Sequence, residues 1–422
     1  MLLYYKNDHV LFVLGIMRIY KDMANNRFMN YLIISIFLSA FVCGKNLSFG
    51  TNNQMAVGES NSDKPKLSYI NDSMDTKPKI THKTVKRWLS KKPAIINILV
   101  VNPKDSGALI KPANGSYYLG SVKNVKEIVA IEDAIAGVNA SYFKPDCGAP
   151  LGTSIVMNKI ITGPLYKRVT FGITKDKEFK MGKINIHGNI LIGKDIKLNL
   201  FNINQPVFSR KSYSVFTDKW GKRTPKTSSH YSHIVVENDT VSYVKNSSII
   251  VPKGGYALVG PHSILPKHIK VGDKVSYTTN ISPDDWNDVE YAVGGGPYLI
   301  RNGEIFIDNQ KFSRNFLWTK APRTAIGYTK SGNLILVTID GRRKGFSEGA
   351  TMYELAIIMY ELGCYNAMNL DGGTSTQMVY NGKLVSHPAV KGGARVTNAL
   401  MIIIPPPVLN ISKKIPFFNQ II

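Results

Sequence analysis

The sequence is poor in cysteine and in acidic residues. Three cysteines among 422 residues exclude a module built on a disulfide framework. Cys147 and Cys364, the two that lie outside the N-terminal apolar region, either pair in an oxidising compartment or stay free. No Cys and His pattern has zinc-binding spacing, so no cofactor is expected, while a divalent metal requirement stays open. We find no internal repeat and no apolar run of the ~20 residues that a membrane-spanning helix needs.

Positive charge dominates the composition. The 53 lysines and arginines exceed the 29 aspartates and glutamates and give a net charge of +24. The lysines are spread along the whole chain and no nucleic-acid-binding module is visible, so we expect no nucleic-acid partner. A basic surface suits an anionic substrate or an anionic cell envelope equally well.

Residues 1–45 are typical of a targeting segment. Arg27 precedes the apolar run from Tyr31 to Cys43, which has the length of a signal-peptide core. Met23 and Met29 are alternative starts. The pattern predicts either a cleaved signal peptide or an uncleaved anchor that attaches the chain to a membrane. Both predict export to the periplasm, the cell envelope or the exterior.

Composition divides the rest of the chain into four parts. Residues 46–84 lack periodicity and are predicted to be a disordered linker. Residues 85–124 are the β-rich beginning of the folded region, residues 125–405 are the main domain, and residues 406–422 are a C-terminal tail. Short alternating runs bounded by Gly, Asn and Pro predict a β-rich N-terminal half. The predicted fold class is α+β, with a mixed β-sheet core, few helices and one βαβ crossover.

A strand, a helix and a second strand are predicted in the C-terminal half. Two β-rich runs, Arg323–Thr329 and Leu334–Asp340, form a hairpin. Thr351 and Glu354 then make a capping box at a helix start, and Gly363 supplies the helix stop. The strand after this helix ends at residue 370. A right-handed crossover would make the strands on either side of the helix parallel.

The crossover predicts a site at one edge of the sheet. Asp340 and Asp371 each follow one of the parallel strands, so both carboxylates are expected in one crevice, where they can divide acid and base work. In the turn after Asp371, two glycines allow close approach, and N–H and hydroxyl groups can bind an anion. The alternative is an ordinary Asp-Gly hairpin turn. The candidate substrate-binding residues of this turn are Gly372, Gly373, Thr374 and Ser375.

Four residues outside this turn are also candidates for substrate binding. Arg323 and Arg395 offer planar guanidinium groups for phosphate oxygens, or else form structural pairs with the aspartates. Asn139 either hydrogen-bonds a substrate hydroxyl or closes a loop. His387, after a hairpin over residues 377–387, is predicted to face the same sheet edge.

These motifs together resemble the phosphodiester glycosidase family, and the resemblance covers roughly residues 125–404. It implies that the main domain hydrolyses the glycosidic bond of a sugar-1-phosphodiester in envelope or extracellular glycans. The alternative is an envelope protein that binds polysaccharide without cutting it. The motifs are Val138–Phe143, Val293–Ile300, Pro322–Gly327, Thr338–Arg342, Asn369–Gly373 and Arg395–Leu400.

The resemblance also implies how the candidate residues share the reaction. A phosphate leaving group needs little protonation, so groups that bind the phosphate and stabilise the oxocarbenium-like centre matter most. Asp371 and Asp340 are then the acidic catalytic pair, with the two arginines and the glycine turn on the phosphate side of one open cleft. The sequence departs from the family at Thr374, where relatives commonly carry glycine, and at Ala394, where an acid is common. Residues 183–274 are assigned in part to substrate choice.

Overall fold

The computed structural model describes residues 80–266 and 269–406, and strands dominate these ranges. The predicted targeting segment, the C-terminal tail after residue 406 and most of the predicted linker lie outside the described residues. The first strand begins at Ile80, inside the range predicted as linker, so the folded region begins before residue 85. Among the described residues, no helix is long and apolar enough to cross a membrane.

The described ranges contain 26 strands, numbered here in chain order. They are β1 Ile80–Leu89, β2 Lys92–Val101, β3 Leu109–Asn114, β4 Ala136–Asn139, β5 Ser154–Val156, β6 Lys159–Thr162, β7 Val169–Thr174, β8 Phe179–Lys183, β9 Asn185–His187, β10 Asn189–Ile192, β11 Ile196–Ile203, β12 Tyr213–Thr217, β13 Tyr231–Glu237, β14 Thr240–Lys245, β15 Tyr256–Pro261, β16 Val275–Tyr277, β17 Asn280–Ser282, β18 Val289–Gly294, β19 Tyr298–Arg301, β20 Glu304–Ile305, β21 Arg323–Tyr328, β22 Leu334–Ile339, β23 Asn366–Asn369, β24 Met378–Tyr380, β25 Lys383–Leu384 and β26 Asn398–Ile403.

Four short α-helices accompany these strands, so the chain is strand-rich with few helices, as predicted. They are α1 Pro103–Ser106, α2 Val125–Ile131, α3 Arg314–Trp318 and α4 Met352–Glu361. Helix α4 begins with the predicted capping box: the Thr351 hydroxyl accepts from the Glu354 N–H, and the Glu354 carboxylate accepts from the Thr351 N–H. It is followed by Gly363 at φ +78°, a left-handed conformation that ends a helix at little cost for glycine.

Four larger sheets and one two-stranded sheet, β17-β9, organise the strands. The first sheet has the order β1-β2-β22-β21-β23-β19-β20, and the second has the order β14-β13-β15-β12-β11-β10-β16. The third is β6-β5-β18-β7-β8, and the fourth is β25-β24-β4-β26-β3. The predicted hairpins β21–β22 and β24–β25 are both formed.

The strands on either side of α4 do not pair with each other. Strands β22 and β23 each pair antiparallel with β21, which lies between them. They therefore run in the same direction, and Asp340 and Asp371 follow strand ends at the same edge of the first sheet. With about 4.8 Å between neighbouring strands, the two strand ends lie roughly 10 Å apart.

The first sheet is buried on both faces, which is why β22 (Leu-Ile-Leu-Val-Thr-Ile) is almost entirely apolar. On one face, Met352 and Leu355 of α4 pack in a cluster with Val337. On the other face, Leu336 packs in a cluster with Phe171 of the third sheet and further apolar residues of the fourth. Burial on both sides holds the strand ends in fixed positions, because a densely packed core resists displacement.

Two segments differ from a simple reading of the sequence. The glycine-rich segment 293–300 is not one strand: it leaves the third sheet at Gly294 and enters the first sheet at Tyr298. Residues 189–277 supply all strands of the second sheet, which has its own apolar cluster, including Leu198 and Ile234. The second sheet therefore has a core separate from the one that supports the two aspartates.

Candidate active site

Asp371 lies in a turn that is hydrogen-bonded to the end of β4. Its backbone N–H donates to the carbonyl of Ala140 at 2.9 Å, and its carbonyl accepts from Asn139 Nδ2 at 2.6 Å. Its carboxylate Oδ1 accepts from the Gly372 N–H at 2.9 Å. Gly373 follows with φ +63°, the left-handed conformation expected of a glycine in such a turn. These bonds fix the backbone of Asp371, and the Gly372 N–H orients its carboxylate.

The surroundings of Asp371 raise its pKa. Burial is the largest effect and raises the pKa of this carboxyl to about 6, while hydrogen bonds from Ser375 and Gly372 and the charge of Arg168 lower it. Part of the residue remains accessible to solvent. A carboxyl that titrates near neutrality at a partly open position is typical of catalytic sites.

The Tyr142 ring and the Arg168 guanidinium contact each other close to Asp371. The Tyr142 hydroxyl donates to the carbonyl of Gly296 at 2.8 Å and accepts from Asn369 Nδ2 at 2.6 Å. The Arg168 guanidinium lies 4.9 Å from the centre of the Tyr142 ring and 4.2 Å from that of Phe312. Both side chains are therefore positioned by residues outside the Asp371 turn, namely Gly296, Asn369 and Phe312.

Arg168 has hydrogen-bonding capacity that the described residues do not use. Its Nε is buried and has no hydrogen-bond partner among them. Burial lowers the pKa of the guanidinium, and the nearby Tyr142, Tyr166 and Asp371 raise it. A buried, unpaired N–H is costly, and an anionic ligand oxygen would satisfy it. Arg168 is therefore a candidate phosphate-binding residue.

Asp340 is paired with His387 rather than with Asp371. One carboxylate oxygen accepts from the His387 N–H at 2.9 Å, and the other lies 2.9 Å from His387 Nδ1. Asp340 is buried, whereas about half of the His387 side chain is exposed. Burial raises the pKa of Asp340, and the hydrogen bonds from His387 oppose that shift. An Nδ1–H that donates to this carboxylate leaves Nε2 of His387 as a base open to solvent.

Arg342 connects the two carboxylate positions. It lies two residues after Asp340, and a Cβ built on Gly373 would lie 3.1 Å from its Nη2. The guanidinium of Arg342 therefore rests against the turn that begins at Asp371. Arg342 is exposed, and no hydrogen bond or ion pair of its side chain occurs in the described ranges. It is a second candidate for binding an anion at this turn.

Arg323 is buried and bonded to backbone carbonyls. Its Nε donates to the carbonyl of Ala350 at 2.9 Å, and its Nη2 donates to those of Phe316 and Thr319 at 2.9 and 2.6 Å. The carbonyls of Phe316 and Thr319 lie at the end of α3, where backbone acceptors lack helical partners. Burial lowers the pKa of this guanidinium to about 10. These bonds give Arg323 a structural role, although its partners are backbone carbonyls and not the aspartates that the sequence analysis offered as the alternative to phosphate binding.

Replacing Arg323 with Met is expected to destabilise the fold by about 2–4 kcal/mol, because one buried and two partly buried carbonyls lose their donors. Urea unfolding followed by circular dichroism measures this change. Arg168→Met is the matched control, because it removes a guanidinium whose buried Nε is unpaired, and we expect a loss below about 1 kcal/mol. If Arg323→Met weakened substrate binding without a loss of stability, Arg323 would belong on the phosphate side.

Asn139 supports the Asp371 turn from the fourth sheet. It is fully buried; besides donating to the Asp371 carbonyl, its Oδ1 accepts from Thr324 Oγ1 at 2.8 Å and from the Gln377 N–H at 3.0 Å. Its amide thus joins the first and fourth sheets beneath the turn. This arrangement gives Asn139 a structural role beneath the turn, and its hydrogen bond to a substrate hydroxyl stays a prediction.

The remaining candidates are placed less closely. The Arg395 side chain is exposed and has no polar contact in the described ranges, although Ala394 before it accepts from Gln377 Nε2 at 2.8 Å. Thr374 is exposed at the tip of the turn. The Arg323 side chain borders the Asp371 turn at Gly372, whereas no polar contact between Arg395 and either aspartate occurs in the described ranges. Clefts of about 660, 600 and 570 Å³ lie elsewhere on the surface and are lined by other residues.

The His, Cys, Asp and Glu side chains of the described residues bear on metal and thiol chemistry, and the divalent metal requirement stays open. Within residues 80–266 and 269–406, no group of three or more His, Cys, Asp and Glu side chains is placed to hold a metal ion. Cys147 is exposed and Cys364 is buried, and both are free. Burial raises the pKa of each thiol, which disfavours the reactive thiolate.

Three residues of this site were missed by sequence reasoning. Tyr142 and Arg342 lie within the motifs Val138–Phe143 and Thr338–Arg342, but neither was predicted to be a site residue. Arg168 stands in a segment without any motif, between β6 and β7. The signal that could have found Arg342 is its position immediately after Asp340-Gly, since a strand end places successive residues at the same crevice.

Comparison with known proteins gives a partial match to one family model. Residues 230–403 match the model of the phosphodiester glycosidase family. The bovine (Bos taurus) enzyme N-acetylglucosamine-1-phosphodiester alpha-N-acetylglucosaminidase is 33% identical over 118 residues, which is 25% of this chain and 22% of that enzyme. The chain thus spans about a fifth of the curated relative that it matches. The range that matches the family model, residues 230–403, contains Asp340, Asp371 and His387. Asn139, Tyr142 and Arg168 lie before it.

Two solved structures share the fold over a larger part of the chain. A hypothetical protein from Synechocystis has 25% identity and a TM-score of 0.70, over 77% of this chain and 62% of that one. A Burkholderia pseudomallei protein, named for its expected export, has 21% identity and a TM-score of 0.63, over 74% of each chain. The second likeness concerns the fold alone. The likenesses extend well beyond the range that matches the family model.

Proposed function

We propose that this chain, whose residues 230–403 match the phosphodiester glycosidase family, is an exported hydrolase that cleaves the glycosidic bond of a sugar-1-phosphodiester. The observation that carries the proposal is the Asp371 turn. A carboxyl with a pKa raised to about 6 lies in a glycine turn, near the unpaired Nε of Arg168 and against the guanidinium of Arg342. The Asp371 carboxylate suits the positive charge that develops at the anomeric carbon, and the guanidinium groups of Arg168 and Arg342 suit the phosphate bonded to it.

The reaction breaks the bond between the anomeric carbon and the phosphate oxygen, and that oxygen keeps the electron pair. A water oxygen bonds to the anomeric carbon and gives up one proton. The products are the free sugar and a phosphate monoester. Because the phosphate is a good leaving group, the phosphate side requires bound positive charge more than a strong acid.

The described residues suggest a division of roles. Asp371 as a carboxylate stabilises the oxocarbenium-like centre or bonds to it. Arg168 and Arg342 bind the phosphate oxygens, and the N–H groups of the glycine turn add donors. His387, oriented by Asp340, accepts the proton of the attacking water through Nε2.

The proposal is tested by product release from a panel of sugar-1-phosphodiesters with purified protein lacking residues 1–45. Release of free sugar and a phosphate monoester supports the proposal. The panel is repeated with added divalent metal ions. If a folded protein released nothing under any of these conditions but still bound polysaccharide, the non-catalytic envelope protein would be the better interpretation.

The reaction is expected to become faster as pH rises through about 6. The proposal needs Asp371 ionised, and its pKa is raised to about 6, so kcat/KM should be low at pH 5 and reach a plateau above pH 7. The matched variant is Ser375→Ala, which removes a hydrogen bond that lowers this pKa. Its profile should move to higher pH. A decline of activity above pH 6 would instead make Asp371 a general acid.

Arg168→Gln is expected to lower kcat/KM for a phosphodiester substrate by about 10- to 100-fold, mainly through KM, since a charge-assisted hydrogen bond to phosphate is lost. For a neutral aryl glycoside the loss should be under threefold. Arg301→Gln is the control, because Arg301 also stacks on an aromatic ring, Phe306, yet is remote from the turn. Equal losses on charged and neutral substrates would show that Arg168 supports the fold rather than the phosphate.

A further inference from the structure

A groove of about 660 Å³ lies apart from the Asp371 turn. On one side it is formed by the loop before α2, and on the other by loops that follow β12 and β14 of the second sheet. Its lining includes Tyr117, Tyr118, Lys222, Arg223, Ile250 and Lys253. The second-sheet side belongs to residues 183–274, the stretch that the sequence analysis assigned in part to substrate choice.

Two tyrosines form an exposed aromatic surface in this groove. Tyr117 and Tyr118 are 51% and 41% exposed, and their ring centres lie 5.3 Å apart with the planes at 86°. The Tyr117 hydroxyl donates to Asp218 Oδ2 at 2.6 Å, and the same oxygen accepts from the Gly254 N–H at 3.0 Å. The Tyr117 ring is therefore held in place while its surface remains open, as is usual for an aromatic platform that binds a ligand.

Positive side chains surround this aromatic surface. Lys219 Nζ lies 4.2 Å from the centre of the Tyr117 ring. Lys222, Arg223 and Lys253 are exposed along the groove. Asp218 is the one acid among the lining residues, and its Oδ2 already accepts two hydrogen bonds. The groove therefore combines apolar ring surface with an excess of positive charge.

The groove adjoins the segment that leads to the candidate active site. The Leu119 carbonyl accepts from Thr397 Oγ1 at 3.2 Å, and Lys123 pairs with Val396 in an isolated β-bridge. Arg395 immediately precedes Val396. The loop before Arg395 bonds to Gln377, at the end of the Asp371 turn. The loop that carries Tyr117 and Tyr118 is thus joined to the segment that carries Arg395.

We infer that this groove binds a polyanionic glycan in which sugars are linked to phosphodiester groups, as an extension of the substrate that the Asp371 turn cleaves. The cleavage part rests on the proposed function, whereas the binding part does not. The C–H faces of a sugar are weakly positive and suit the negative faces of Tyr117 and Tyr118. Phosphates spaced along such a polymer suit the lysines and Arg223.

Isothermal titration of the full chain tests the binding part with three named probes. A poly(hexosyl 1-phosphate), in which each sugar is joined to the next through a 1-phosphodiester, should bind at least tenfold more tightly than neutral dextran, which lacks charge, or inorganic polyphosphate, which lacks sugar. Affinity should fall as salt is raised, since the phosphate contacts are ionic. Equal binding of polyphosphate would reduce the groove to a basic patch and overturn the inference.

Variants assign the binding to this groove. Tyr117→Ala with Tyr118→Ala should weaken binding of the poly(hexosyl 1-phosphate) about tenfold, while the matched pair of Phe substitutions should stay within threefold. A second variant replaces Lys222, Arg223 and Lys253 with Gln and should also lose about tenfold. Its charge-matched control replaces the exposed residues Lys126, Lys194 and Lys383 with Gln. If both triple variants lost the same affinity, general surface charge would explain the binding.

The inference and the proposed function fail in different ways. Groove variants that bind polymer weakly but cleave a small sugar-1-phosphodiester at the normal rate support both. Groove-dependent binding by a chain that cleaves nothing would retain the binding part and reject the proposed function. Cleavage of polymer that the groove variants do not affect would overturn the inference and leave the proposed function standing.

Discussion

Asp371→Asn is expected to lower kcat/KM on a sugar-1-phosphodiester by about 10³-fold or more, because the carboxylate that stabilises the anomeric centre becomes neutral. Asparagine has nearly the same shape and still offers an oxygen to the Gly372 N–H. The loss should therefore appear in kcat rather than in KM, as expected for an interaction made mainly in the transition state. Steady-state and single-turnover rates with one substrate measure it. Asp195→Asn, an exposed remote aspartate, is the control and should keep full activity.

The same variant should be more stable than the parent at pH 8. Burial raises the pKa of Asp371 to about 6, above its ordinary value of 3.8, so ionisation is less favourable in the folded chain than in the unfolded one. The resulting cost is absent below pH 4, grows as pH rises through 6 and is complete above it. Asparagine avoids it and should gain up to about 2 kcal/mol at pH 8, and nothing at pH 4. An inactive variant that is also destabilised at both pH values would indicate damage to the fold instead.

Much of the local architecture around this aspartate is predictable from sequence. The hairpin β21–β22, the capping box at Thr351 and the stop at Gly363 are all formed. Each depends on interactions within a few residues, such as a side chain that bonds a nearby N–H, and such interactions are visible in the sequence itself. From the hairpin, the helix start and the helix stop, the sequence predicted that Asp340 and Asp371 lie at one edge of a sheet.

Contacts between distant segments could not be predicted in the same way. The register of β21 does not reveal that the Arg323 guanidinium turns to the carbonyls at the end of α3, because that short helix has no strong sequence signal. Arg168 reaches Tyr142 and Phe312 from the third sheet, which packs on the first only in the folded chain. The sequence thus locates the carboxylates of this site better than their partners.

The pairing of Asp340 with His387 shows the same limit and changes the expected chemistry. The sequence predicted Asp340 as the acidic partner of Asp371 and His387 as a substrate-binding residue. In the structure both carboxylate oxygens of Asp340 lie 2.9 Å from nitrogen atoms of His387. Under the proposed function, Asp340 is therefore a positioning residue for the imidazole, and Asp371 is the carboxylate that acts on the substrate.

Asp340→Asn is accordingly expected to lower kcat by about 100-fold while KM changes little. The carboxylate holds the proton on Nδ1 of His387 and leaves Nε2 free to accept one. An amide whose NH₂ group faces Nδ1 favours the opposite tautomer, in which Nε2 carries the proton and cannot act as a base. His387→Gln should show a loss of similar size, because it removes the same base directly.

The double variant Asp340→Asn with His387→Gln distinguishes positioning from independent action. If Asp340 acts through His387, the double variant should lose no more than His387→Gln alone, because residues that act as a unit have non-additive effects. Rates that fall by the product of the two single losses would mean that Asp340 contacts the substrate on its own. An exogenous base such as imidazole adds a second readout: it should restore part of the rate of a His387→Ala variant, since that substitution opens space at an exposed position. Restoration there, with none in Asp371→Asn, would assign the proton transfer to the imidazole and the stabilisation of the anomeric centre to Asp371.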